Sequence, residues 1–162
     1  MLTVRRFHQD FTKRPPRLTR IFDNVRPFYF VTFNTRTRAQ VLNNPAIHEA
    51  FVAFCQNASE RNIAVGRYVL MPDHIHLFVA LPETEITLVQ WIHILKTVLG
   101  KKLLELGFSK PHWQEGFFDH LLRNSESYGM KWEYVRMNPV RAGLAEKAED
   151  WPYQGEIVRL EY

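Results

Sequence analysis

Residues 71–83 read Met-Pro-Asp-His-Ile-His-Leu-Phe-Val-Ala-Leu-Pro-Glu, and this stretch constrains the chain more than any other. From Ile75 to Leu81 it is too short for a stable helix, nearly continuous in apolar residues, and closed at both ends by Pro72 and Pro82. Such a run belongs inside a sheet, where both faces are covered. Two histidines open it with one apolar residue between them. Successive strand side chains alternate, so His74 and His76 share one face and Ile75 takes the other. Two neutral imidazoles side by side can hold a divalent metal ion. They can equally be ordinary polar residues at a strand end, satisfied by backbone carbonyls. The stretch by itself leaves both readings standing.

The rest of the chain is arranged around that strand. Residues 1–26 are polar and basic, interrupted by Pro15 and Pro16, and read as an arm with little regular structure. Over residues 1–38 Arg5, Arg6, Lys13, Arg14, Arg17, Arg20, Arg26, Arg36 and Arg38 are set against only Asp10 and Asp23, so this basic segment is a candidate polyphosphate contact. Phe28–Asn34 is aromatic and β-branched, hence a strand. Asn44-Pro45 pairs an N-cap with a first-turn proline, and Ile47, Phe51, Phe54 and Ala58 continue at helical spacing to about Asn62. Ile63 to Leu70 is a second strand with a possible bulge at Gly66, and its short link to the histidine strand predicts a hairpin. Thr87 caps a helix with Leu88, Ile92, Leu95, Leu99 and Leu103 on one face, stopped at Gly107. Phe117–Leu122 is a short strand. A third helix starts at Asn124 or Ser125 and is ended by Pro139. It carries Tyr128, Trp132 and Val135 as its core stripe, with Lys131, Tyr134 and Asn138 on a neighbouring face. Residues 154–162 read as a tail.

The resulting order, β-α-β-β-α-β-α, predicts an α+β single domain over residues 27–153: an antiparallel sheet with packed helices, ferredoxin-like in character. A length of 162 residues with 46% hydrophobic content suits one globular domain. No apolar run is long enough to span a membrane and the N-terminus lacks an apolar signal core, so a cytoplasmic, nucleoid-associated location is expected. Cys55 is the only cysteine, which excludes an internal disulfide and a cysteine-rich zinc site.

Three blocks in order carry a family resemblance. Val69-Leu70-Met71-Pro72-Asp73-His74-Ile75-His76 resembles the paired-histidine (HUH) motif of the IS200-like, single-tyrosine transposases. Trp113 to His120, followed by Leu122-Arg123-Asn124, is similar to their next strand. Tyr134-Val135-Arg136-Met137-Asn138-Pro139-Val140-Arg141-Ala142-Gly143-Leu144 resembles the nucleophile helix of their REP-associated branch. The resemblance implies single-stranded DNA cleavage through a covalent tyrosine link. By that match His74 and His76 are metal ligands, Asn138 a third, oxygen-donating ligand, and Tyr134 the nucleophile. It also implies magnesium or manganese. The imidazole nitrogens tilt the expectation toward stronger manganese binding. Hairpin-forming single-stranded DNA is the implied partner, and the REP-associated motif favours a monomer over a dimer. After Trp151-Pro152-Tyr153 the chain departs from the family's usual serines with Gln154-Gly155.

The chemistry is coherent with these residue types. A metal held by two imidazoles and an amide oxygen keeps open positions for phosphate oxygens and serves as Lewis acid and template. Phenols ionise only near pH ~10, so a tyrosine nucleophile needs a cation nearby, from the metal or from Lys131 on the same helix face. Lys96, Lys131 and Arg123 are further candidate phosphate or DNA contacts. Two other readings compete. One is a non-catalytic nucleic-acid-binding module built on the aromatic strand. The other is a phosphodiesterase that uses a metal-bound water.

Overall fold

The computed structural model describes residues 28–82 and 86–161. Five strands form one antiparallel sheet in the order β4-β1-β3-β2-β5. β1 is Phe28–Asn34, β2 Ala64–Leu70, β3 His74–Ala80, β4 Phe118–Leu122 and β5 Gln154–Glu156. The histidine strand β3 is central, with β1 and β2 on either side. β2 and β3 form the expected hairpin, closed by Met71 N–H donating to His74 O at 2.8 Å. The register slips between Val65 and Tyr68, so the bulge falls where Gly66 suggested. A Cβ at Gly66 would come within 2.7 Å of Leu160, so the glycine also lets the C-terminal segment approach.

Three helices follow from local signals. Asn44 caps α1 (Pro45–Ala58) by accepting from Ala46 N, and Thr87 and Gln90 form a capping box at the start of α2 (Leu88–Glu105). Gly107, at φ +91°, takes the left-handed turn beyond α2. Asn124 caps α3 (Ser125–Arg136). α1 and α2 cover the sheet face of Phe33, Tyr68 and Ile75. Phe51 packs on Tyr68, and Phe54 on Trp91. α3 covers the opposite face, where Tyr128 and Trp132 pack edge-on against Phe78. The two faces are the alternating halves of β3, so the histidines lie on the α3 side.

Two expectations need correction. The predicted third helix does not run to Pro139. It ends at Arg136, and Asn138–Arg141 form a separate short helix, α4. Pro139 has no N–H to donate back and crowds the preceding turn, which breaks the ladder at Met137. The predicted tail after Tyr153 is part of the domain. Gln154–Glu156 pairs with β2 as a fifth strand, and Ile157, Val158 and Leu160 are buried in the common core. Gln-Gly-Glu carries no strand pattern of its own. It is held from outside, by the open edge of β2 and by Trp151, whose indole N–H donates to Leu70 O at 2.9 Å.

Candidate nucleic-acid cleavage site

At the start of β3 the rings of His74 and His76 meet edge to face, their centroids 4.7 Å apart. The Nδ1 of each ring is tied to a neighbour. His74 Nδ1 lies 2.6 Å from Asp73 Oδ1. His76 Nδ1 lies 2.7 Å from Thr32 Oγ1, reached because Thr32 sits opposite His76 in the β1–β3 register. The other nitrogen of His76, Nε2, faces the amide of Asn138 at 2.9 Å. The site therefore joins a strand pair on one side to the α3–α4 junction on the other.

The direction of the hydrogen bonds fixes the tautomers. Arg141 has only donors, and its Nη2 donates to Asn138 Oδ1. That turns the Asn138 Nδ2 toward His76, whose Nε2 must then accept. His76 Nδ1 consequently bears the proton and donates to Thr32. On His74 the Asp73 carboxylate holds the proton on Nδ1, so Nε2 carries the lone pair. In both rings Nε2 is the nitrogen able to bind an ion, with a partner behind it that orients the ring, an arrangement typical of metal-binding histidines.

Electrostatics keep both imidazoles neutral. Burial pushes His76 down to about 3, assisted by the positive charges of Arg141, Arg38 and Lys131. His74 is also lowered, by burial first, against the opposing pull of Asp73. Its contact with Asp73 is thus a hydrogen bond from a neutral ring to a carboxylate rather than an ion pair. Burial raises the Asp73 carboxyl, but the hydrogen bond from His74 and the charge and hydrogen bond of Arg38 outweigh it and hold it below its ordinary range. Arg38 Nε donates to Asp73 Oδ2 at 2.8 Å, and its Nη1 to Asn34 Oδ1 at 2.6 Å. Arg38, Lys131 and Arg141 thereby surround a neutral histidine pair with positive charge, a field suited to a phosphate.

Of the residues expected at the site, the fold brings His74, His76 and Asn138 together. Among the described residues no three of His, Cys, Asp and Glu converge as a metal cluster, and the third polar side chain at the histidine pair is the Asn138 amide. Two imidazole lone pairs and an amide oxygen fit a divalent ion in donor type. The oxygen is the atom that Arg141 holds, so using it requires a half-turn of the amide. Tyr134 lies four residues before Asn138, on the α3 side of the break at Met137, and is 65% exposed. The Arg141 guanidinium stacks 4.1 Å over its ring, and Nη2 also donates to Tyr134 O at 2.7 Å. One arginine thus links the phenol-bearing residue to the amide beside the histidines. Lys131 Nζ stands 5.2 Å over the Phe30 ring, on the histidine face.

Other expectations fare differently. Lys96 is half-buried, with Nζ donating to Gln114 O at 3.0 Å and Gly116 O at 2.5 Å. It braces the loop before β4 and lies over Phe33 on the sheet face opposite the histidines. Arg123 is exposed just past the end of β4. Arg5, Arg6, Arg14 and Arg17 lie outside the described residues. Sequence reasoning missed Thr32 and the bridging of Arg141, and it named Arg38 only as one of the basic residues of the N-terminal segment, not as a neighbour of Asp73. Asp73 and Arg141 stand inside the quoted motifs and were in view. Thr32 required the strand register.

Comparison with known proteins follows the same outline. A family model described as "Transposase IS200 like" matches residues 27–137. A protein of Haemophilus influenzae, provisionally named a REP-associated tyrosine transposase, is 30% identical over 135 residues, covering 77% of each chain. The REP-associated tyrosine transposase of Escherichia coli K12 is 28% identical over 126 residues, covering 77% of this chain and 73% of the relative. A solved REP-associated tyrosine transposase bound to a REP hairpin superposes with a TM-score of 0.65 at 26% identity. It covers 79% of this chain and 75% of that one. A protein from Deinococcus radiodurans, provisionally described as a transposase, matches with a TM-score of 0.51 at 14% identity. It covers 68% of this chain and 88% of that one, and shares the fold alone.

Proposed function

The chain belongs to the IS200-like transposases, in their REP-associated tyrosine branch of DNA-nicking enzymes, and from that premise we propose that it cuts and rejoins a single strand beside a DNA hairpin through Tyr134. The observation that carries the reading is the convergence of two neutral imidazoles and the Asn138 amide, four residues along the chain from an exposed phenol that shares Arg141 with that amide. The related hairpin-bound structure supports the substrate class.

In this mechanism His74, His76 and Asn138 would hold a divalent ion, magnesium or manganese, which would supply Lewis acidity to the scissile phosphate. Asp73 and Thr32 keep the protons of both imidazoles on Nδ1, so each Nε2 stays available. Arg38, Lys131 and Arg141 attract and orient the phosphodiester. When the Asn138 amide turns to present its oxygen, Arg141 loses its partner there and its guanidinium is released toward the phosphate. The Tyr134 oxygen then attacks phosphorus as its proton departs to solvent. The P–O bond to the 3′ oxygen breaks, and that oxygen takes up a proton. The products are a 5′-phosphotyrosine and a free 3′-hydroxyl. The ester keeps the energy of the broken bond, so the reverse attack by a 3′-hydroxyl rejoins strands without ATP. The reading also favours a monomeric, nucleoid-bound enzyme.

The test is incubation of hairpin-bearing single-stranded oligonucleotides with the protein and manganese, resolved on denaturing gels. Wild type gives a protein–DNA adduct. Tyr134→Phe removes one exposed oxygen and almost no packing, so it keeps the fold and hairpin affinity and loses adduct and rejoining entirely. Cleavage that persists in Tyr134→Phe would point to water as the nucleophile and overturn the assignment.

A further inference from the structure

The sheet face that bears the histidines continues past α3 onto a strand that no described element covers. β4 is an edge strand, and Phe118, Asp119, His120 and Leu121 are all exposed, with only Leu122 buried. The register makes its position exact to the residue. Phe118 lies opposite Thr32, which lies opposite His76 and contacts its ring nitrogen. His120 lies opposite Phe30, which stacks on His76 at 5.4 Å between centroids and 19° between planes. Phe118 and His120 are therefore on the histidine face, in the same cross-strand rows as the site. With strands spaced about 4.8 Å apart, Phe118 stands roughly 10 Å from His76.

Scattered exposed apolar residues are normal and mean little singly. Phe118 differs in its placement. It is 59% exposed, while the other phenylalanines of this face, Phe28, Phe30 and Phe78, are buried. Tyr128 packs on Phe28 and Phe78, and Trp132 on Phe78, which leaves the β4 end of the face open. Lys131 Nζ, over the Phe30 ring, supplies a cation between the open aromatic and the site. An exposed aromatic ring beside a cation is what unpaired nucleotides bind, by stacking of the base and pairing of the phosphate.

We propose that Phe118 and His120 form a stacking platform for unpaired bases flanking the scissile phosphate, with Lys131 beneath the connecting backbone. This rests on the reading of the chain as a single-strand nickase and adds where the flank lies. The occupant is single-stranded DNA because the face is continuous with the phosphate site and shares its positive charge.

The probe is a DNA hairpin with an unpaired flank, carrying 2-aminopurine at successive flank positions. Wild type should quench the fluorophore at one or two adjacent positions. Phe118→Ala should abolish that quenching and weaken binding of the flanked hairpin roughly tenfold or more, while a blunt hairpin binds as before. Phe118→Trp should restore both, and melting temperatures should not change. Quenching and affinity that survive Phe118→Ala, or no quenching at any position in wild type, overturn the platform. A fall in melting temperature with Phe118→Ala also overturns it, by showing that another part of the chain covers the ring. Adduct formation on the same oligonucleotides is read separately. An adduct with an inert Phe118 sinks the platform alone, and quenching without any adduct sinks the nickase reading alone.

Discussion

Under the proposed metal-dependent mechanism, single side chains decide whether the histidine pair is ready to bind an ion. Thr32 is the least conspicuous of them, one hydroxyl in an aromatic strand, yet it accepts the Nδ1 proton of His76. Thr32→Val keeps the shape and removes that acceptor. Loss of such a supporting partner typically costs about 10- to 100-fold in metal affinity, so manganese titration should show a drop of that order with an unchanged melting temperature. An unaltered affinity would mean that the hydroxyl does not orient the ring. A second buried imidazole works on stability instead. His48 donates or accepts at 2.8 Å with the Tyr68 hydroxyl, and burial lowers it to about 4 from an ordinary 6.5. Below pH 6.5 the unfolded chain gains a proton that the folded one refuses, so folding stability falls between pH ~6.5 and ~4, by at most about 3 kcal/mol. Denaturation of wild type and His48→Gln at both ends of that window should show a smaller pH-dependent loss in the variant. The His74, His76 and Asn138 positions were legible in the sequence, since alternation along a strand and a known motif suffice to group them. Thr32 was not, because only strand register reveals what lies across from His76.

Elements were legible where their boundaries are written in capping residues. Asn44-Pro45, Thr87 with Gln90, and Asn124 each mark a helix start that the fold uses. The elements that escaped detection are those whose stability is tertiary. β5 is three residues with no apolar alternation, existing because β2 offers an open edge and because Leu160 fills the space left by Gly66. Leu160→Ala should therefore behave as a core truncation, costing about 2–4 kcal/mol in denaturant unfolding. A loss below ~0.5 kcal/mol would identify the segment as peripheral after all. The break between α3 and α4 is the complementary case. Pro139 announced it, but the position of the break decided that Asn138 begins a new helix, tied to His76 on one side and to Arg141 on the other.

At the scale of the whole molecule, the order of elements was enough to predict the antiparallel α+β sheet, and the strand sequence β4-β1-β3-β2-β5 adds what order alone does not contain. It puts β3 in the middle. The amides of a central strand, paired on both sides and covered on both faces, exchange with solvent only when the whole domain opens. Tyr134 and Asn138 instead belong to a surface helix and a four-residue helix, elements that open locally at lower free energy. Hydrogen–deuterium exchange followed by mass spectrometry should find peptides spanning His74–Ala80 among the slowest in the protein and peptides spanning Tyr134–Ala142 markedly faster. Equal rates would mean that the two halves open together. Under the proposed mechanism, unequal rates let the Tyr134 segment be withdrawn from a finished strand end and brought back while the imidazole pair never loosens, so turnover would need only a hinge at Met137 and would leave the sheet at rest.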